Sequence, residues 1–368
     1  MTNRKALVVG GTGPTGPLIV NGLLARGYDV AIFHRGTHES DEIPPSVEHI
    51  HGDPHFRETI EQALSGRAFD LVIATYGRIR LLAEVLVGRV NRFIAVGGAA
   101  VYRGFKEPDR LFPAGLPVPT TESAQRVVDE DELRFARLLT ETEEAVFRAH
   151  PSATMFRYPY VYGPHQLIPR EWCVMRRILD GRREILLPDG GLTLAAAGYV
   201  ENLAHAVMLS VDKPQVSGGR AYNCGDETTL TLRQMVEVIA GAMGAQVRIV
   251  NVPNEVAWST RPYVLHLHTH HWLMDLGKIK ADLGYRDVVP VREALARTVR
   301  WYLENPPARG GEIEQRLADA FDYAEEDRII RGVDAAVSRL REGAPPDLLR
   351  PHAYAHPKAP GARDHRAR

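Results

Sequence analysis

Near its beginning the chain contains the pattern that most restricts its fold, a glycine-rich turn between a predicted strand and a predicted helix. KALVVG, residues 5–10, is typical of a buried strand, and GPLIVNGLLARG, residues 16–27, has the apolar spacing of a helix. The turn between them, GGTGPTG, is nearly free of large side chains. Phosphate binds well at such a turn, because free N–H groups and the positive end of the helix dipole face it. The pattern therefore predicts a nucleotide-binding α/β unit.

The following 140 or so residues repeat this alternation of strand and helix. The predicted strands are DVAIFH, VEHIHGD, DLVIAT, RFIAVGG and ATMFRYPYVYGP, and the predicted helices are RETIEQALSG, RLLAEVLVGRV and the long DEDELRFARLLTETEEAVFRAH. The acidic first turn of the long helix suits the helix dipole. Continuous apolar strands separated by helices indicate a parallel sheet that is covered on both faces. We therefore expect an α/β fold of the Rossmann type, a doubly wound parallel sheet with a smaller C-terminal substrate-binding lobe.

The boundaries of the predicted domains follow from changes in this pattern. Residues 1–164 form the predicted Rossmann domain, whose sheet later segments can complete, and residues 165–305 form the substrate-binding lobe. Residues 306–343 are predicted to be a helical C-terminal extension. Residues 344–368 are rich in Pro, Ala, His and Arg, which is typical of a disordered tail.

Composition indicates which binding partners and which cellular compartment to expect. The formal net charge is -1 and only two cysteines occur, so neither a polyanion-binding surface nor a disulfide framework is indicated. No apolar stretch approaches the roughly 20 residues of a membrane helix, and the N-terminus does not resemble a signal peptide. We expect a cytoplasmic protein with a small-molecule substrate, without membrane or nucleic-acid partners, and with a homodimer as the candidate assembly.

The glycine turn and the strand ends supply the predicted cofactor site. Two spacings fit a dinucleotide motif, Gly10-Gly13-Gly16 and Gly11-Gly13-Gly16. Arg35 ends the second strand where an NAD site usually has an acid, and its charge suits the 2′-phosphate of NADP; NAD is the alternative, with Arg35 merely solvated. We expect His34 to lie against the adenine and Asp53 to accept from the adenine amino group. The full predicted set is Gly10, Gly11, Thr12, Gly13, Pro14, Thr15, Gly16, His34, Arg35, Asp53, Thr75 and Gly97.

Four segments together resemble a known family. GGTGPTG, HGD, RFIAVGGAAVY and RYPYVYGP are similar to the motifs of the extended or atypical short-chain dehydrogenase/reductases, the NAD-dependent epimerase/dehydratase family. The resemblance covers roughly residues 5–305. EWCVMRRILDGRREILLPDGG and HHWLMDLGKIKADLGY resemble more closely the atypical branch that includes the chloroplast stem-loop-binding proteins.

The resemblance implies a catalytic relay that this chain lacks. The family uses a serine or threonine at the end of the fifth strand, a tyrosine that passes a proton, and a lysine one helical turn later. The corresponding positions here are Gly98, Phe135 and Leu139. No tyrosine occurs between residues 103 and 157, and the only lysine there is Lys106.

Two tyrosine–lysine pairs with the required spacing occur elsewhere. Tyr102 with Lys106 spans a glycine in a predicted loop, and Tyr354 with Lys358 spans a proline in the predicted tail. Chance accounts for both, so the standard proton relay is predicted to be missing.

Other side chains at the strand ends are then candidates for chemistry. Tyr160 and His165 are the predicted acid or base, with simple packing of an alternating aromatic strand as the alternative for Tyr160. The predicted substrate-binding residues are Tyr76, Arg78, Gly98, Gln166 and Arg170. The histidines of HLHTHH, residues 266–271, have no acid or cysteine among them, so we expect no metal and interpret them as a pocket wall.

These features lead to two functional hypotheses. The first is an NAD(P)-binding enzyme that acts on a small organic or sugar-like substrate by a non-standard redox or isomerising mechanism. The alternative is a non-catalytic nucleotide-binding protein, either redox-sensing or RNA-associated. The missing relay favours the alternative, whereas the glycine turn, Arg35 and a complete second lobe favour the enzyme.

Overall fold

A computed structural model of the chain describes residues 4–37, 40–260, 263, 270–343, 357 and 359–362. The HLHTHH histidines from 266 to 269, and most of the predicted tail, lie outside the described residues. The chain divides into two compact units, Met1–Phe321 and Asp322–Arg368.

The strands of the first unit form one large sheet and two small ones. They are β1 (Arg4–Val9), β2 (Tyr28–His34), β3 (Glu48–His51), β4 (Phe69–Ala74), β5 (Val90–Gly98), β6 (Thr154–Tyr158), β7 (Tyr160–Tyr162), β8 (Glu184–Pro188), β9 (Ala197–Tyr199), β10 (Arg220–Asn223) and β11 (Arg248–Val252). Seven of them form the central sheet in the order β10-β6-β5-β4-β1-β2-β3, and every pairing in it is parallel. The order reverses between β1 and β4, which confirms the predicted doubly wound fold.

The helices are α1 (Gly16–Leu24), α2 (Arg57–Ala63), α3 (Ile79–Val85), α4 (Arg134–Ala149), α5 (Glu171–Leu179), α6 (Val200–Asp212), α7 (Pro214–Ser217), α8 (Leu232–Ala242), α9 (Gly277–Leu283), α10 (Val291–Glu304), α11 (Glu312–Leu317) and α12 (Tyr323–Arg341). The last of them belongs to the second unit. Among the described residues, none of these helices combines the length and the apolar character that crossing a membrane requires.

Both faces of the central sheet are buried, because successive side chains of a strand point to opposite faces. Val8 and Ile32 pack with α1 and α6 on one face, whereas Leu7 and Phe33 pack with α2, α3 and α4 on the other. A third apolar cluster fills the second lobe, with Trp172 of α5 at its centre. The continuous apolar strands of the sequence therefore mark the layer between two sets of helices.

The acidic run before α4 differs from its prediction. The helix begins at Arg134, and residues 129–132 precede it instead of forming its first turn. Their carboxylates pair with arginines: Asp131 lies 2.7 Å from Arg110, and the buried Glu132 lies 2.8 Å from Arg103. Ion pairing to a neighbouring loop has replaced the expected interaction with the helix dipole.

The predicted sixth strand is also divided. Tyr158 ends β6 in the central sheet, and Tyr160 begins β7, which pairs with β9 in a separate sheet. Pro159 stands between them, and it cannot donate to a ladder of backbone hydrogen bonds. The chain therefore passes from the central sheet to the second lobe at one residue.

Candidate functional site

The glycine turn between β1 and α1 holds two kinds of glycine. Gly10 has a positive φ of 86°, and a Cβ on it would lie 2.4 Å from the Cβ of Tyr76. A Cβ on Gly16 would lie 2.1 Å from the carbonyl oxygen of Gly11. These positions need glycine for the fold itself, because any side chain would strike neighbouring atoms. At Gly13 the nearest atom to such a Cβ is 3.4 Å away, an ordinary van der Waals distance, so the fold leaves room for a side chain here.

That space belongs to a cavity of about 480 Å³, the glycine-loop cavity. Eight of the predicted cofactor residues line it: Gly10, Thr12, Gly13, Pro14, Thr15, His34, Arg35 and Thr75. Gly11 and Gly16 lie beneath the turn, where a Cβ on Gly11 would approach Ile32 to 2.8 Å. Gly97 lines the neighbouring cavity described below. The structure thus brings most of the predicted cofactor set together around one opening.

Two arginines face this cavity. Arg35 is exposed, and its guanidinium carbon lies 5.8 Å from the centre of the Tyr76 ring. Within the described part of the chain it has no carboxylate within ion-pairing distance. Arg316 of α11 also lines the cavity, and it pairs with Glu312 one turn earlier on the same helix. Sequence reasoning missed Arg316, because nothing in a helix so far along the chain indicates that it returns to the glycine turn.

His34 belongs to a cluster of three histidines on the carboxyl ends of β2 and β3. Its Nε2 lies 3.1 Å from Nδ1 of His49, and its Nδ1 accepts from the backbone N–H of Gly36 at 3.2 Å. His51 is the third member, and the candidate ligand atoms of the three lie within 4.8 Å of one another. The bond from Gly36 places the proton of a neutral His34 on Nε2, which then donates to His49. Its predicted contact with an adenine stays a prediction.

Asp53 is turned toward His55. Its Oδ1 accepts from the backbone N–H of His55 at 2.9 Å and lies 2.7 Å from Nδ1 of the same residue. Burial opposes ionisation of this carboxyl, but the hydrogen bonds from His55 and the charge of Arg35 lower its pKa overall. Oδ1 is therefore engaged within the protein, and the predicted contact with an adenine amino group stays a prediction for Oδ2.

A second cavity of about 640 Å³, the α4 cavity, adjoins the first. Six residues line both: Thr75, Tyr76, Val96, Tyr158, Val161 and Gln166. Gly98, Phe135 and Leu139 also line the α4 cavity, and a Cβ on Gly98 would lie 3.6 Å from Cδ1 of Leu139. The three positions that the resemblance assigns to the relay therefore line one cavity, and none of the three residues carries a hydroxyl or an amine.

Tyr160, one predicted catalytic residue, has its ring on the α4 cavity and its hydroxyl at the start of α5. The hydroxyl accepts from the backbone N–H of Arg170 at 2.8 Å and lies 3.1 Å from Oε2 of Glu171. Burial, reinforced by the nearby carboxylate, raises the pKa of Tyr160 well above its usual value. Burial also raises the pKa of Glu171. A tyrosine in this environment stays protonated at neutral pH.

His165, the other predicted catalytic residue, lies apart from Tyr160 on the glycine-loop cavity. Its backbone has a positive φ of 61°, and its ring centre is 4.8 Å from that of Trp301. Its Nε2 lies 3.2 Å from Oε1 of Glu42. The structure thus assigns the two residues to different cavities.

Four of the five predicted substrate-binding residues line the α4 cavity, namely Tyr76, Gly98, Gln166 and Arg170. Arg78 is not part of that lining, since its exposed guanidinium lies over the ring of Phe56 at 5.6 Å, and its contact with a substrate stays a prediction. Arg78 immediately precedes α3, and its backbone N–H donates to the carbonyl oxygen of Pro54. The side-chain amide of Gln166 donates to the Val161 carbonyl at 2.7 Å and holds its loop in place.

Two cations face the α4 cavity, and only one of them was predicted. Lys106 is partly buried, and burial together with the charge of Arg170 lowers its pKa. Burial lowers the pKa of Arg170 to about 10, and its guanidinium stacks on the Tyr160 ring at 3.6 Å. Lys106 belongs to a tyrosine–lysine pair that the sequence gave reason to dismiss. The four-residue spacing of Tyr102 and Lys106 was the one sequence feature that could have pointed to Lys106. Tyr102 itself is buried, and its hydroxyl donates to Asn223.

Comparisons with known proteins agree with this architecture. No protein-family model matches the chain. The chloroplast stem-loop binding protein of 41 kDa b from Arabidopsis thaliana is 25% identical over 312 residues, which cover 80% of this chain and 78% of that protein.

Solved structures with a similar fold include enzymes of sugar nucleotides. A UDP-glucose 4-epimerase of Thermotoga maritima, solved with UDP-glucose, has a TM-score of 0.66 at 19% identity and covers 82% of this chain and 99% of its own. A dTDP-glucose 4,6-dehydratase of Streptomyces venezuelae, solved with NAD and TYD, has a TM-score of 0.62 at 23% identity and covers 82% of this chain and 97% of its own.

Proposed function

We propose that this chain belongs to the extended short-chain dehydrogenase/reductases, the NAD-dependent epimerase/dehydratase family, and that it is an NADP-dependent enzyme acting on a small organic or sugar-like substrate. The observation that carries the proposal is that the two cavities adjoin, sharing Thr75, Tyr76 and Val96 in their walls. A dinucleotide in the first cavity would extend its reactive end into the second.

The residues of the glycine-loop cavity fit a dinucleotide. Gly13 leaves the open space that a diphosphate needs, and a bare turn before a helix N-terminus supplies backbone donors to it. Arg35 would bind the 2′-phosphate, which is the reason for preferring NADP to NAD. When bound, the nicotinamide would accept or donate a hydride.

The proposed mechanism is non-standard, because the residues at the relay positions, Gly98, Phe135 and Leu139, have no ionisable side chain that could transfer a proton. Tyr160 is the leading candidate acid, because it lines the α4 cavity and carries a hydroxyl that is protonated at neutral pH; burial raises its pKa and so counts against easy proton release. Its hydroxyl is bonded to Glu171 and to the Arg170 N–H, so a substrate would have to compete with these partners for it. His165 is the second candidate, for a substrate that extends toward the glycine turn.

The alternative function is that of a non-catalytic nucleotide-binding protein. The relative named for stem-loop binding supports an RNA-associated role, and the apolar relay wall supports a role without proton transfer. The net charge of -1 counts against a broad polyanion-binding surface. A homodimer and a cytoplasmic location remain part of the proposal.

The two functions differ in one measurement. Purified protein is incubated with NADPH and a panel of small aldehydes, ketones and nucleotide sugars, and the absorbance of the reduced nicotinamide is followed. For the redox reactions, the enzyme hypothesis predicts consumption that depends on the protein and on one substrate class. Product chromatography on the same samples detects isomerisation without net redox. Binding of NADPH with no substrate converted in either assay would favour the alternative.

A further inference from the structure

The α4 cavity contains a charge imbalance that the proposed function does not explain. Lys106 and Arg170 both line it, and each raises the electrostatic cost of the other's charge. Within residues 4–37, 40–260 and 270–343, neither cation has a carboxylate within 4 Å. The Nε of Arg170 is buried and has no hydrogen-bond partner there.

Buried cations without partners are costly, because the protein interior solvates charge poorly. A buried arginine avoids that cost when a carboxylate pairs with it. Arg157, for example, is buried against Glu143 with its Nη2 2.6 Å from a carboxylate oxygen. Glu171, next to Arg170 in sequence, uses its Oε2 on the Tyr160 hydroxyl, and no ion pair joins it to Arg170. The charge of Glu171 partly offsets that of Arg170 without forming an ion pair. Among the described residues, Lys106 and Arg170 therefore stand at the cavity wall without a carboxylate in direct contact.

The rest of the wall is mainly apolar. Phe105, Leu139, Leu232 and Trp272 line the same cavity. Its polar lining includes His55, Thr75, Thr142, Gln166 and Glu143, whose charge is paired with Arg157. Such walls bury a hydrocarbon or aromatic body, while a few polar groups fix its orientation. A guanidinium is well shaped for a carboxylate or phosphate, and a nearby ammonium adds a point charge.

We infer that the α4 cavity binds the oxyanion of an organic substrate, a carboxylate or a phosphate, through Arg170 and Lys106, with the apolar body of the substrate on the surrounding wall. This inference names the substrate class of the proposed enzyme and rests on that proposal. Arg170 is held in place by its stacking on Tyr160, so the anion would be fixed beside the leading candidate acid. Both residues therefore determine specificity.

The test measures binding of three probes of similar shape, namely benzoate, phenyl phosphate and the neutral benzamide. Full-length protein is saturated with NADP⁺ to occupy the glycine-loop cavity, and each probe is titrated by calorimetry at constant ionic strength. We expect at least one anion to bind about tenfold or more tightly than benzamide. The better of the two anions identifies the preferred oxyanion.

Variants locate the binding. R170Q and K106Q should each weaken the anion about tenfold or more and leave benzamide unchanged, whereas R300Q, an exposed arginine of α10, should behave as wild type. Equal affinities for anion and amide in the wild type, or full anion affinity in both cavity variants, would overturn the inference. If R170Q does not fold, K106Q alone decides.

The same samples separate this inference from the proposed function. NADP⁺ binding, followed by tryptophan fluorescence, is measured for every variant before the probes are added. Normal NADP⁺ binding without anion selectivity overturns the inference and leaves the proposed function standing. Anion selectivity in a wild type that binds no dinucleotide supports the anion site and removes the proposed function.

Discussion

Glu143 and Arg157 form a buried ion pair with two hydrogen bonds, in which Oε1 lies 2.6 Å from Nη2 and Oε2 lies 3.0 Å from Nε. Glu143 follows Leu139 by one turn of α4, and Leu139 follows Phe135 by another, so the three share one stripe of the helix. Arg157 also donates to the Tyr102 hydroxyl at 2.7 Å. The one ionisable member of the stripe is therefore engaged with β6, and it is not available for the proton relay that the family resemblance implies.

Substitution of this carboxylate should be costly. Glu143→Gln leaves the charge of Arg157 without its counter-ion in a buried site, so we expect a loss of about 3–5 kcal/mol in the free energy of unfolding, measured with urea. Glu144→Gln is the matched control, because the Glu144 side chain is exposed and its pairing with Arg126 contributes less than about 1 kcal/mol. Equal effects of the two substitutions would contradict the structural role of Glu143.

Arg35 should determine the choice between NADP and NAD. A charge-assisted contact with the 2′-phosphate contributes about 1.5–3 kcal/mol, so Arg35→Ala should lower NADP affinity roughly 10- to 100-fold and change NAD affinity little. Fluorescence titration with both dinucleotides measures this difference. Arg300→Ala should leave both affinities unchanged. The hypothesis fails if wild-type protein binds NADP and NAD equally well.

Gly13 should be required for the dinucleotide but not for the fold. Gly13→Val places a branched side chain in the open space of the glycine-loop cavity, where the diphosphate would lie, so dinucleotide binding should be abolished. The circular dichroism spectrum should remain that of the wild type. Gly241→Val is the control, because a Cβ there meets no atom within 4 Å and lies far from the turn in sequence. Unchanged binding by a folded Gly13→Val variant would show that the phosphates lie elsewhere.

Tyr160→Phe separates packing from proton transfer. The change removes one hydroxyl, which leaves the Arg170 N–H and one Glu171 oxygen without a partner, so stability should fall by about 1–3 kcal/mol. If the hydroxyl is the catalytic acid, turnover of the true substrate should also fall by about 10²–10⁴. Phe135→Leu should cost less than about 1.5 kcal/mol and leave the pH dependence of the rate unchanged. A normal rate for Tyr160→Phe would transfer the role to His165.

Asp287 should make stability depend on pH between about 4 and 6. Burial, with the negative charges of Asp226 and Glu227 nearby, raises the pKa of Asp287 to about 6. The folded protein therefore holds this proton more tightly than the unfolded chain does, and the stability it contributes at low pH is lost as pH rises through 6. Relative to Asp287→Asn, the wild type should lose about 1 kcal/mol between pH 4 and 7, a value reduced for its half-exposed position. Parallel pH profiles would contradict the assignment.

The central sheet could be predicted from the sequence, and the reason is physical. Strands such as β1 and β4 are buried on both faces, so their apolar runs are continuous and easily distinguished from the amphipathic helices. The division of the predicted sixth strand at Pro159 was harder to predict, because it depends on the pairing of β7 with β9, about 40 residues later in the chain.

The glycine turn was predictable for the same local reason, since its strand, glycines and helix are contiguous. Lys106 and Arg316 were not, because each reaches its cavity only through the tertiary fold. The acidic run before α4 is a case in which the local sequence was misleading. Its composition suits a helix N-terminus, but arginines from a neighbouring loop compete successfully for the same carboxylates.

Pro159 has a mechanical consequence. The proline ring fixes its own φ, and on either side of it Tyr158 and Tyr160 are held in different sheets. Tyr158 lines both cavities and Tyr160 lines the α4 cavity. A tilt of the second lobe would therefore displace residues in the walls of both cavities. Residues 1–321, which hold all the strands named above, form one compact unit. A ligand that displaces Tyr160 in the α4 cavity is therefore expected to shift Tyr158 as well, and with it the wall of the glycine-loop cavity.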